Sequence, residues 1–155
     1  MNVRRFFPLW SVLVLSLLLK LILAVWVWDM DCTHDECFYL QMASALADGQ
    51  GYPAGRGYFW PPGYVAFLAA HIHLFGDTPG TVRITQALLS TLSAWFLFRL
   101  GLISGGRRVG LWACSLFAFY PTLVFFAHTL WSETLFLTLL LAAVWLIEMA
   151  RQHPK

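Results

Sequence analysis

Residues 9–28 hold a single charged side chain, Lys20, in twenty positions. As an α-helix such a run is about 30 Å long, the thickness of a bilayer's hydrocarbon core. Arg4 and Arg5 precede it, and with Phe6-Phe7 they resemble a twin-arginine signal. The run is longer than the apolar part of a signal peptide, however, and Ala24-Val25-Trp26-Val27-Trp28 has no small-x-small cleavage site. It is expected to be an uncleaved anchor with Trp26 and Trp28 at the far interface. Three further runs follow: 82–98, ending at Arg99; 109–126, interrupted by Tyr120-Pro121; and 130–149, followed by Arg151 and Lys155.

Composition agrees. The chain is 59% hydrophobic and 12% charged, about half the charge of a soluble domain. The sequence predicts an all-α integral membrane protein, a single transmembrane domain over 1–155 with about four transmembrane helices and a loop, 29–81, carrying two interfacial helices. No basic stripe lies away from the membrane ends, so nucleic acid is not an expected partner.

The basic residues set an orientation. Arg4, Arg5, Arg99, Arg107, Arg108, Arg151 and Lys155 fall on one side. The 29–81 loop on the other side has Arg56, with Arg83 at its border, against Asp29, Asp31, Asp35, Glu36, Asp48 and Asp77. Both termini are therefore expected in the cytoplasm of a multi-pass cell (inner) membrane protein, with the acidic loop periplasmic or extracellular.

Within that loop, Thr33 and Glu36 have the spacing of a capping box, with Thr33 as N-cap. A helix is expected over 34–47, stopped by Asp48-Gly49-Gln50-Gly51. Leu40, Ala43, Ala47 and Phe38, Met42, Ala45 give it apolar faces. At about 20 Å it is too short to span and is expected to lie on the membrane. Pro61-Pro62 should start a second short helix over 64–75. His71 and His73 are two apart, so they point to different faces and make no metal site. Cys32 and Cys37 are close enough to pair, but two unpaired small residues is the default expectation; Cys114 stands alone.

Asp35 and Glu36 admit two readings. One is structural: negative charge at a helix N-terminus plus the capping box. The other is catalytic: a partly desolvated carboxylate at the membrane surface acting as general base for an acceptor hydroxyl. Lys20 is costly within its span and must snorkel, pair or line a cavity. Arg83 and Glu133 begin spans on the acidic side, as interface anchors or as site residues that could meet a phosphate or a carboxylate.

Asp35-Glu36, Tyr39, Ala43 to Gly49, Gly51-Tyr52, Trp60-Pro61-Pro62-Gly63-Tyr64, Phe75-Gly76-Asp77, Val82-Arg83-Ile84, Gln86-Ala87-Leu88 and Ser132-Glu133-Thr134-Leu135-Phe136 occur in this order. The series resembles polytopic glycosyltransferases of the GT-C fold, nearest to the bacterial relatives of dolichyl-phosphate-mannose protein mannosyltransferases, a group that includes the lipid A aminoarabinose transferases. The resemblance implies a polyprenyl-phosphate-linked sugar as donor, membrane lipid as surroundings, an acceptor hydroxyl, and no catalytic metal or cofactor. It makes Asp35 the base and has Glu36 orient it or pair with a cation, Arg83 first. Arg83, Glu133, Lys20 and Tyr39 become substrate-binding candidates, with Lys20 or Arg83 stabilising the departing phosphate. Members of the group have many more spans, so this chain is expected to be an N-terminal portion, inactive alone. Two other classes compete: a non-catalytic membrane scaffold that uses the loop for contacts, and a small transporter, which would need polar residues repeated along the spans.

Overall fold

The computed structural model describes residues 7–52, 60–76 and 79–152. They form six helices: α1 Phe7–Trp26, α2 Asp35–Ala47, α3 Pro62–Phe75, α4 Pro79–Phe119, α5 Pro121–Phe126 and α6 Glu133–Gln152. No strand occurs among the described residues. Arg4, Arg5, Arg56, Asp77 and Lys155, which enter the orientation reading, lie outside them.

Three helices, α1, α4 and α6, are long and apolar enough to cross a membrane. Most of each apolar window is not covered by protein, α6 having only 11% of its window buried. Side chains such as Trp26, Trp112 and Ile147 project outward, as they would into lipid. This is a multi-pass membrane protein.

The 41 residues of α4 are not one rod. Gly105 and Gly106 leave helical geometry, and Gly106 has φ +79°, open to glycine at little cost. The chain turns back there. A Cβ on Gly101 would lie 2.6 Å from the Gly110 Cα, and one on Gly110 would lie 2.6 Å from the Phe98 carbonyl oxygen. The two limbs thus touch backbone to backbone, which only glycine permits. Ala94, Phe98, Cys114 and Ala118 continue the seam and take Leu9 and Leu13 of α1 against it. The expected runs 82–98 and 109–126 fall on the two limbs. The second run is split, because Pro121 starts the separate α5.

Two features weld the spans. α6 packs on α4 through buried hydroxyls: Thr138 Oγ1 and Ser93 Oγ are 2.8 Å apart, and Thr138 donates to the Leu89 carbonyl at 3.2 Å. Small hydroxyl residues serve this way where lipid offers no hydrophobic drive. α1 meets the second limb at Lys20, which is fully buried. Its ammonium donates to Ser16 Oγ at 2.6 Å and to the Ala118 carbonyl at 3.1 Å. That carbonyl belongs to the last turn of α4, where the intrahelical donors have run out before Pro121. The break in one helix supplies the acceptor that the charge in another needs.

At the end of the bundle opposite the Gly105-Gly106 turn, here the loop end, α2 lies on α3. The buried face of α2 is Glu36, Tyr39, Met42 and Ala43; of the expected faces, Leu40 and Ala47 pack beside Ala43 against the same core, whereas Phe38 is exposed. It meets Tyr64, Val65, Leu68 and Ala69 of α3. Tyr39 sits edge-on to both Trp60 and Tyr64, with ring centroids 5.0 and 4.9 Å apart, and such pairs each add about 0.5–1.5 kcal/mol beyond area burial. His71 is buried and His73 exposed, as their spacing requires.

Candidate active site

The loop end is assembled around a turn, residues 127–132, that joins α5 to α6. Side chains from distant parts of the chain satisfy its backbone. Gln86, fully buried on α4, donates through Nε2 to the Thr129 carbonyl at 2.6 Å. Its Oε1 accepts from the Tyr64 hydroxyl at 2.8 Å. His128 reaches back to the Lys20 carbonyl at 2.8 Å through Nε2. Glu36 accepts from the Leu130 N–H at 2.7 Å.

Glu36 is buried, and its other oxygen accepts from the Thr33 N–H at 3.1 Å and the Thr33 hydroxyl at 3.3 Å. Half of the expected capping box is therefore present, with the acid reaching back. The other half is not: the helix begins at Asp35, and the residue before it, His34, has φ +48° and makes no side-chain cap bond. A non-glycine residue in the left-handed region is uncommon and costs energy. The neighbouring covalent link holds the turn, because Cys32 and Cys37 are joined by a disulfide, with Cα atoms 5.1 Å apart. The expectation of two unpaired cysteines is corrected. Residues i and i+5 come within bonding range once the chain bends sharply at His34 before entering the helix.

Asp35 differs from its neighbour. It is half-buried in the first turn of α2, and among the described residues no hydrogen bond or ion pair engages its carboxylate. It is close enough to Tyr39 to act on it electrostatically, as is Glu133 from the start of α6. The Tyr39 phenol is pushed above its ordinary range chiefly by burial; a hydrogen bond with Ser132 works against this, and the negative charges of Glu133 and Asp35 add to it. Tyr64 is raised further, again by burial first. Both phenols stay protonated at neutral pH. Glu133 Oε2 is buried and has no hydrogen-bond partner, and the Trp131 indole N–H is in the same condition. Asp35 stands one turn before Tyr39 on α2, Glu133 also acts on Tyr39, and Trp60 lies edge-on to the Tyr39 ring.

Arg83 and Lys20 stand elsewhere. Arg83 is buried, and its guanidinium donates to the backbone carbonyls of Val27, Trp28, Met30 and His128. No ion pair within 4 Å joins it to Glu36, although the Glu36 charge acts on it; its hydrogen bonds go instead to carbonyls just past the end of α1, beside the negative end of that helix's dipole. Lys20 is sealed between α1 and α4, two turns into the span. The sequence names Gln86 only as part of the motif Gln86-Ala87-Leu88 and gives it no site role, yet it lies three residues after Arg83, on the same helical face. A glutamine one turn after an arginine at the head of an apolar run was the available signal. Among the described residues no three His, Cys, Asp or Glu side chains converge as a metal site.

No curated protein and no solved structure matches the chain. Residues 60–155 match the family described as dolichyl-phosphate-mannose-protein mannosyltransferase. The match takes in α3 to α6, with Arg83, Gln86 and Glu133, and begins after Asp35, Glu36 and Tyr39. It covers more than half of the sequence, and the chain belongs to that family of GT-C glycosyltransferases.

Proposed function

We propose that this chain carries the acceptor-activating part of a glycosyltransferase that moves a sugar from a polyprenyl-phosphate donor to an acceptor hydroxyl on the outer face of the membrane. The observation that supports it most is the contrast between two adjacent carboxylates. Glu36 is consumed by bonds to Leu130 and Thr33, while Asp35 has none among the described residues and stands one turn before Tyr39, on which Glu133 also acts. A general base needs a carboxylate with free lone pairs.

In the proposed step, Asp35 takes the proton of the acceptor hydroxyl. The oxygen bonds to the anomeric carbon, and the bond from that carbon to the phosphate oxygen breaks, its electron pair leaving with the lipid phosphate. Glu133 Oε2 and the protonated Tyr39 hydroxyl are the groups offered to sugar or acceptor hydroxyls. Arg83 has one of its five N–H donors left over for an anion. Lys20 serves the fold, and the scheme draws on no metal or organic cofactor. The outward orientation rests on charge: Asp29, Asp31, Asp35, Glu36 and Asp48 at the loop end, Arg99, Arg107, Arg108 and Arg151 at the other.

The test is Asp35→Asn in membranes containing the protein, supplied with labelled polyprenyl-phosphate sugars. Transfer should fall about 10²–10⁴-fold with expression and melting temperature unchanged; full transfer would remove Asp35 as the base. A scaffold reading draws on Glu36 and Arg83, both spent on backbone contacts. It requires Asp35→Asn to be silent and Trp60→Ala to break assembly.

A further inference from the structure

We propose that the end of the bundle at the Gly105-Gly106 turn holds one phospholipid with an anionic headgroup, its phosphate on Arg99 and an acyl chain in the groove between α1 and the first limb of α4.

The Arg99 guanidinium lies over two indole rings, 5.4 Å from the Trp95 centroid and 5.6 Å from that of Trp145. The rings favour the cation but accept none of its hydrogen bonds. Arg99 Nε is buried without a partner, and so is the Trp145 indole N–H beside it. Arg107 Nε and Nη2, near the same turn, are also buried and unpartnered. Donors in this state cost free energy unless an acceptor reaches them. Among the described residues no carboxylate pairs with them: the one ion pair there, Arg151 with Glu148, uses the acid of this region. A phosphodiester matches the fork of a guanidinium.

The groove makes the occupant a lipid rather than a free anion. It measures about 390 Å³ and is lined by Trp10, Leu13, Val14, Leu17, Leu92 and Trp95, with Thr91. It runs about 10 Å along α1, from Leu17 to Trp10, toward the end where Arg99 stands. Trp95 belongs to both parts: it is one wall of the groove and one platform of the cation, and Arg99 follows it by one turn. An apolar slot ending beneath an unsatisfied guanidinium has the plan of a chain below a headgroup. The site is some sixteen residues of helix, about 24 Å, from Arg83 at the loop end, so its occupant is separate from the sugar donor proposed above and the inference does not depend on that proposal.

The test is native mass spectrometry of the protein released from nanodiscs of equal phosphatidylglycerol and phosphatidylcholine with identical chains. Phosphatidylglycerol should be retained in about tenfold excess. Arg99→Gln should abolish the excess, Arg151→Gln should leave it, and Leu92→Trp, which fills the groove from an exposed position, should lower retention of the lipid with Arg99 intact. Excess inorganic phosphate should not displace it. Equal retention of both lipids by the unaltered protein would overturn the proposal. So would equal losses in Arg99→Gln and Arg151→Gln, which would mean diffuse charge attraction, or displacement by phosphate.

Discussion

Adjacent residues of the same chemical type do different work here. Asp35 and Glu36 are both carboxylates in the first turn of α2, yet one turns inward to tie residues 94 positions apart and the other is left free. Glu36→Ala should therefore act on stability rather than on chemistry alone. It strands the buried Leu130 N–H, at a cost of about 1–3 kcal/mol, which a denaturation curve in detergent would register. Arg83→Leu should be similarly destabilising, since four backbone carbonyls lose their donor together. His71 adds a pH dependence. Burial lowers its pKa below the ordinary 6.5, and its Nε2 lies 3.0 Å from Thr85 Oγ1. The unfolded chain therefore binds a proton more readily than the folded one. Stability is full above pH about 6.5 and falls as pH drops from there toward the lowered folded value. Melting temperatures between pH about 5 and 7.5 should show this slope in the native sequence and lose most of it in His71→Gln.

The elements were largely legible in the sequence because their signals are local. Pro61-Pro62 starts α3, Asp48-Gly49 follows the end of α2, and Tyr120-Pro121 separates α4 from α5. The apolar runs translate directly into helices of spanning length. What binds the elements was not legible. The bond from Glu36 to Leu130, the carbonyls around Arg83 and the link from Gln86 to Thr129 all connect positions more than forty residues apart, and no local pattern encodes the partner. The Cys32–Cys37 disulfide was missed because it depends on the left-handed turn at His34, which the residue type does not announce. Lys20 was recognised as anomalous, but its partner arises from a break in another helix. The limb contact in α4 gives the sharpest test at this scale. Gly101→Ala or Gly110→Ala pushes a methyl group into backbone that has no room to move. Each should cost about 1–3 kcal/mol or more, read as a lower melting temperature, whereas Gly63→Ala, which meets nothing within 4 Å, should be near neutral.

At the scale of the whole molecule, the bundle separates two chemistries by the thickness of a membrane. Among the described residues, the carboxylates other than Glu148 gather with the disulfide at the loop end, and the arginines other than Arg83 gather toward the Gly105-Gly106 turn. Everything proposed for Asp35 requires the loop end to face away from the cytoplasm, where a lipid-borne sugar can meet its acceptor. The native cysteines leave little background, since Cys32 and Cys37 are bonded and Cys114 is buried. Gln41 and Ser104 are exposed at opposite ends, so Gln41→Cys and Ser104→Cys can be probed with a membrane-impermeant maleimide on intact cells. Labelling of Gln41→Cys from outside, with Ser104→Cys reached only after permeabilisation, is the predicted result; labelling of Ser104→Cys from outside with Gln41→Cys protected would contradict it.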